Sequence, residues 1–150
     1  MKLDSVEAVL DYAIGKEQDA AHFYTELANK MKYEHMKEIF MEFAEEEKRH
    51  EAKLKSVKSG KIEMMSDKKV QDLKIGDHLV EVDLDTNLDY QQALIVAMKA
   101  EKAAYKLYND LATTTEDAAM RDLFLGLAQE EAKHKLRFEI EYDEAILTEN

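Results

Sequence analysis

The chain has 150 residues, a formal charge of −12, and neither cysteine nor proline. That length suits one domain with a single substantial core, and the acidity opposes binding to nucleic acid or to anionic membrane surfaces. Without thiols there is no disulfide, no thiolate metal site and no iron–sulfur or rubredoxin-type centre within the chain, so any metal must be held by oxygen and imidazole.

The first residues, MKLDSVEAVLDYAIGKEQDA, place acids where a secretory signal would need an apolar run, and no stretch approaches the length of a membrane span. A cytoplasmic location is therefore expected. Leu3, Val6, Leu10, Ala13, Tyr24, Leu27 and Met31 recur in steps of three and four around Glu17 and Ala20, which predicts a first bundle helix. Met36, Phe40, Phe43, Leu54 and Val57 predict a second, after a turn near Lys32 to Glu34. From about residue 60 to 86 the periodicity lapses and polar clusters predict a connector, with room for a short helix near Asp67 to Leu73. Leu94, Ala97, Ala104, Tyr108 and Leu111 then predict a third helix, and Met120, Phe124, Leu127 and Phe138 a fourth. In the turn between them Thr114 or Thr115 is expected to cap the fourth helix, with Glu116 or Asp117 favouring its positive end.

The second half restates the first after a shift of 84 residues and without a gap. Glu17, Tyr24, Phe40, Glu47 and His50 return as Glu101, Tyr108, Phe124, Glu131 and His134. Two similar helical hairpins, about 3–59 and 87–147, are joined by the connector in an all-α four-helix bundle. Helices of this length span about 40 Å, a distance the connector can cross. A long crossover between the second and third helices makes those two parallel and relates the hairpins by a two-fold axis.

The apolar seams are interrupted in one way. Where the spacing asks for an apolar residue, the chain places Glu17, Glu47, His50, Glu101, Glu131 and His134. Buried carboxylates without partners cost several kcal/mol, and no basic residue occupies a seam position near the six. Counting about 1.5 Å per residue from each turn puts all six at one height, near mid-bundle. A Glu three residues before a His sets both on one helical face. Two such pairs, plus one Glu from each remaining helix, match the ligand set of di-iron and di-manganese carboxylate bundles. Four carboxylates balance the charge of two divalent ions, and mixed oxygen and imidazole ligation suits iron, with manganese or zinc as alternatives.

On these residues the chain resembles rubrerythrin-type ferritin-like proteins over essentially its full length. The resemblance implies a ferritin-like fold and two metal ions. It assigns a bridging role to Glu17 and Glu101 and terminal roles to the Glu47–His50 and Glu131–His134 pairs. It also implies that Tyr24 and Tyr108 hydrogen-bond carboxylates beside the centre. The activity it implies is oxidation–reduction with hydrogen peroxide or O₂, using electrons from an external donor such as a rubredoxin-like protein. Ferroxidation for iron storage or transfer, and a metal-stabilised structural bundle, are the alternatives. Two departures stand out: no cysteine-bearing rubredoxin segment is present, and Ala104 occupies the position of an additional family glutamate. The resemblance also implies a homodimer, since relatives of this kind commonly form dimers, and the tail after Glu144 is short for the fifth helix of storage cages.

Glu46 and Glu130 also repeat, four residues before their histidines, but fall off the seam and are weaker ligand candidates than Glu47 and Glu131. His22, His35 and His78 are expected at the surface or in the connector. The helical methionines are expected as core filler, and Met64 and Met65 over one end of the bundle.

Overall fold

The computed structural model describes residues 5–65 and 89–149. Within them are four helices: α1 (Val6–Lys30), α2 (Glu34–Met65), α3 (Tyr90–Thr114) and α4 (Ala118–Glu149). The second helix runs on past Gly60, where the connector was expected to begin. Positions 66–88, with the short helix expected near Asp67 and with His78, lie outside the described residues, as do Leu3 and the side chains of Met64 and Met65.

Local chemistry sets the ends. Ser5 caps α1, its Oγ accepting from the Ala8 amide at 3.1 Å. Asp89 and Gln92 form a reciprocal capping box at the start of α3, with bonds of 2.8 and 3.0 Å. The cap of α4 differs from expectation. Thr114 closes α3 and Thr115 follows it as its C-cap, so neither threonine is placed to cap the next helix. Asp117 does so instead, accepting from the Met120 amide at 2.9 Å, while Thr115 Oγ1 accepts from the Asp117 amide at 3.2 Å.

Side-chain pairs fix the helix directions. Lys58 meets Asp11 and Gln18 meets Glu51, so α1 and α2 are antiparallel. Tyr24 reaches Glu101 and Tyr108 reaches Glu17, so α1 and α3 are antiparallel as well. It follows that α2 and α3 run the same way, the orientation a long crossover demands.

The core divides into two apolar clusters. One gathers Leu10, Leu54, Leu107, Leu111, Phe124 and Leu127. The other gathers Leu27, Phe40, Phe43, Leu94 and Phe138 at the opposite end. Each such large side chain contributes about 1.5–3 kcal/mol on full burial. The layer between the clusters is polar, and the six seam residues occupy it.

Candidate metal centre

Glu17, Glu47, His50, Glu101, Glu131 and His134 are all buried, the most exposed being His134 at 6%. Each comes from the middle of its helix: one Glu from α1, one from α3, and a Glu-x-x-His pair from each of α2 and α4. His50 Nδ1 lies 3.0 Å from Glu131 and 3.5 Å from Glu17. Its counterpart His134 Nδ1 lies 3.1 Å from Glu47 and 3.5 Å from Glu101. The two imidazoles stand parallel, 5.8 Å apart at their centroids.

Two overlapping groups result: Glu17, Glu47, His50 and Glu131, and then Glu47, Glu101, Glu131 and His134. In each, one ligand-type atom per residue lies within 4.8 Å of the others. Glu47 and Glu131 belong to both. Glu17 and Glu101, for which the resemblance implies a bridging role, each belong to one group.

One buried polar atom of each of the six makes no hydrogen bond: Glu17 Oε2, Glu47 Oε1, His50 Nδ1, Glu101 Oε2, Glu131 Oε1 and His134 Nδ1. Burial without a partner is costly. Four carboxylate oxygens and two imidazole nitrogens turned to one axis form a donor set suited to divalent cations. The residues fit a metal centre.

Electrostatics carry the same signal. Burial, then the neighbouring Glu17 charge, push the Glu47 carboxyl well above its ordinary range. Burial, then Glu101, do the same to Glu131. For Glu17 burial also acts upward, but the facing Glu47, His50 and Tyr108 outweigh it and hold the group below its usual value. Burial would lower His50, yet Glu17 and Glu130 raise it. Both tyrosines are driven far upward, by burial first and by the carboxylates they face second, and so remain neutral donors.

The tyrosines cross the bundle: Tyr24 of α1 donates to Glu101 of α3, and Tyr108 of α3 donates to Glu17 of α1. Glu46 and Glu130 take a role the sequence did not reveal. They face the outer edge of the histidines, Glu130 pairing with His50 Nε2 and Glu46 with His134 Nε2. Each thus fixes the ring of the opposite hairpin with Nδ1 turned inward. Their recurrence one position off the seam was the available signal, but only the packing of α2 against α4 shows which ring each one meets. His22 and His35 are exposed, as expected.

Two openings lead to this layer. One, of about 290 Å³, lies between α1 and α3 and has the four carboxylates at its floor. The other, of about 360 Å³, lies between α2 and α4 on the histidine side, lined by Arg49, Lys53 and Lys133 as well as Glu46 and Glu130.

A four-helix bundle with this mid-height carboxylate and histidine layer is a ferritin-like fold of the diiron-carboxylate type. The chain belongs to the rubrerythrin family, whose family model matches residues 8–142. Among solved structures it is similar to a hypothetical protein from Pyrococcus furiosus, with 32% identity over 93% of this chain and 89% of that one and a TM-score of 0.69. It is also similar in fold to a protein from Thermotoga maritima named as a ferritin-like diiron-carboxylate protein, with 22% identity over 94% of this chain and 96% of that one and a TM-score of 0.73. No curated protein sequence matches.

Proposed function

We propose that the chain is a di-iron carboxylate oxidoreductase that reduces hydrogen peroxide or O₂ with electrons from an external carrier. The observation that carries this reading is the set of six buried ligand atoms that make no hydrogen bond, arranged as two groups with Glu47 and Glu131 in common. Glu17, Glu47, His50 and Glu131 would hold one ion, and Glu47, Glu101, Glu131 and His134 the other, with manganese or zinc able to take the same places. When bound, the ions supply two-electron redox chemistry and polarise an oxygen ligand. The protein's part is positional. Glu46 and Glu130 keep the imidazoles in one tautomer, Tyr24 and Tyr108 hold the outer carboxylates, and the apolar clusters close the layer above and below.

With no cysteine in the chain, electrons come from a separate protein such as a rubredoxin-like carrier. The expected surroundings are cytoplasmic; no described helix is long and apolar enough to cross a membrane. We read the working unit as a homodimer, supported by the outer face of α4. Leu125, Leu136, Ile140 and Leu147 are exposed there, while Ala52 and Ser56 hold the places in α2 that correspond to Leu136 and Ile140.

The test is anaerobic loading with iron(II), followed by peroxide or O₂ with and without reductant. Repeated turnover with reductant is expected. Oxidation that stops after one pass and leaves ferric cores in a cage-sized particle would instead mark storage. Binding of two equivalents of metal with no reaction toward either oxidant would leave a structural bundle.

A further inference from the structure

The opening between α1 and α3 is a cleft of about 290 Å³ that ends on four carboxylates. Its two walls differ, and the difference has a definite origin in the repeat. Lys16, Asp19 and Ala20 on the α1 side correspond, 84 residues on, to Ala100, Ala103 and Ala104 on the α3 side. One wall is therefore charged at its rim, while the other is built from methyl groups and Leu107, with Phe23 facing it across the cleft. The floor is formed by Glu17, Glu47, Glu101 and Glu131. An apolar-walled pocket of this size ending on a few convergent polar groups is the usual form of a site for a small organic molecule.

We propose that the α1/α3 cleft binds alkyl hydroperoxides, seating the peroxide end over the carboxylate floor and the organic group against Ala100, Ala103, Ala104 and Leu107. This rests on the peroxide-reducing function above and names its substrate class. In the reaction the O–O bond of ROOH breaks, two electrons from the external carrier and two protons from solvent are taken up, and ROH and one water leave. The apolar wall favours an uncharged alkyl or aryl group, and Lys16, Asp19 and His22 stand at the mouth, where only the far end of a longer chain would meet them.

The iron(II)-loaded chain is mixed anaerobically with cumene hydroperoxide or hydrogen peroxide, and ferric absorbance is followed through one turnover. In parallel, 2-phenyl-2-propanol, the alcohol product, is titrated into the zinc-loaded chain while alanine methyl resonances are recorded. Expected are oxidation by cumene hydroperoxide at least as efficient as by hydrogen peroxide, saturable shifts of the Ala100, Ala103 and Ala104 methyls, and a roughly tenfold fall in the cumene-to-hydrogen peroxide ratio in Ala103→Leu. Unchanged loading of two zinc ions in that variant shows that it is folded. Oxidation by hydrogen peroxide alone, with no alanine shifts, overturns the inference and leaves the general function standing. Inertness toward both peroxides overturns the two together.

Discussion

Glu47 and Glu131 differ from Glu17 and Glu101 by belonging to both four-residue groups. Glu131→Ala is therefore expected to abolish loading of both ions, whereas Glu17→Ala retains one equivalent. Metal content after gel filtration checks this, and a Glu131→Ala protein that still carries two equivalents would remove the shared role. Behind the ligands, Glu130→Ala frees the outer edge of His50 and is expected to weaken metal binding by about 10–100-fold, read by chelator competition with zinc. The metal-free protein has a pH signature of its own. Burial and like charge raise Glu47 and Glu131 above their unfolded value of 4.5, and Glu17 and Glu130 raise His50 above 6.5. Groups whose pKa is higher in the folded state stabilise it below the unfolded value, and that contribution is lost as pH rises through the folded value. Glu17 is shifted the other way, so its contribution fades only as pH falls below 4.5. Between those limits the metal-free chain should lose thermal stability as pH climbs from about 5 to 8. Bound metal should reverse the trend, because deprotonated carboxylates are then the required state. Calorimetry of both forms decides it.

Each helix carries an apolar stripe interrupted at one height, and the cost of the interruption is met by the packing on either side. Phe138 shows how tightly. Its ring lies 4.2 Å from Phe43, 5.7 Å from Tyr24 and 5.9 Å from Phe40, centroid to centroid, with no exposure. Phe138→Ala leaves a cavity beside the tyrosine that holds Glu101, and is expected to destabilise the bundle by about 3–5 kcal/mol. Denaturant melts would measure it, and a loss under about 1 kcal/mol would mean that the cluster collapses to fill the space. The helix ends are local affairs. Asp117 rather than a threonine caps α4 because α3 consumes Thr114 as its final residue, a choice set by where one helix stops.

At the scale of the molecule, pseudo-symmetry joins two hairpins that are alike inside and unlike outside. Inside, both halves contribute equivalent ligands, tyrosines and outer glutamates. Outside, the α3 wall of the cleft is apolar where that of α1 is charged at its rim, and α4 exposes Leu136 and Ile140 where α2 has Ala52 and Ser56. The exposed Leu136 and Ile140 lie on a chain whose net charge of −12 resists self-association elsewhere. Sedimentation should accordingly show a dimer for the native chain and a monomer for Leu136→Lys, with metal content unchanged. A native monomer would remove the homodimer from the proposed function.

The sequence by itself determined four helices and the six residues aligned at mid-bundle, because helical periodicity and an 84-residue repeat are properties of order along one chain. Glu17 and Glu101, 84 residues apart, were recognisable as equivalent without any coordinates. Tertiary structure alone decided that Glu47 and Glu131 are the shared pair and that Glu46 and Glu130 hold the histidines of the opposite hairpin. It also decided that Ala20 and Ala104 border a common cleft. Those facts depend on the rotation and height of one helix against another, which are set by packing between residues far apart in the chain and leave no period to read.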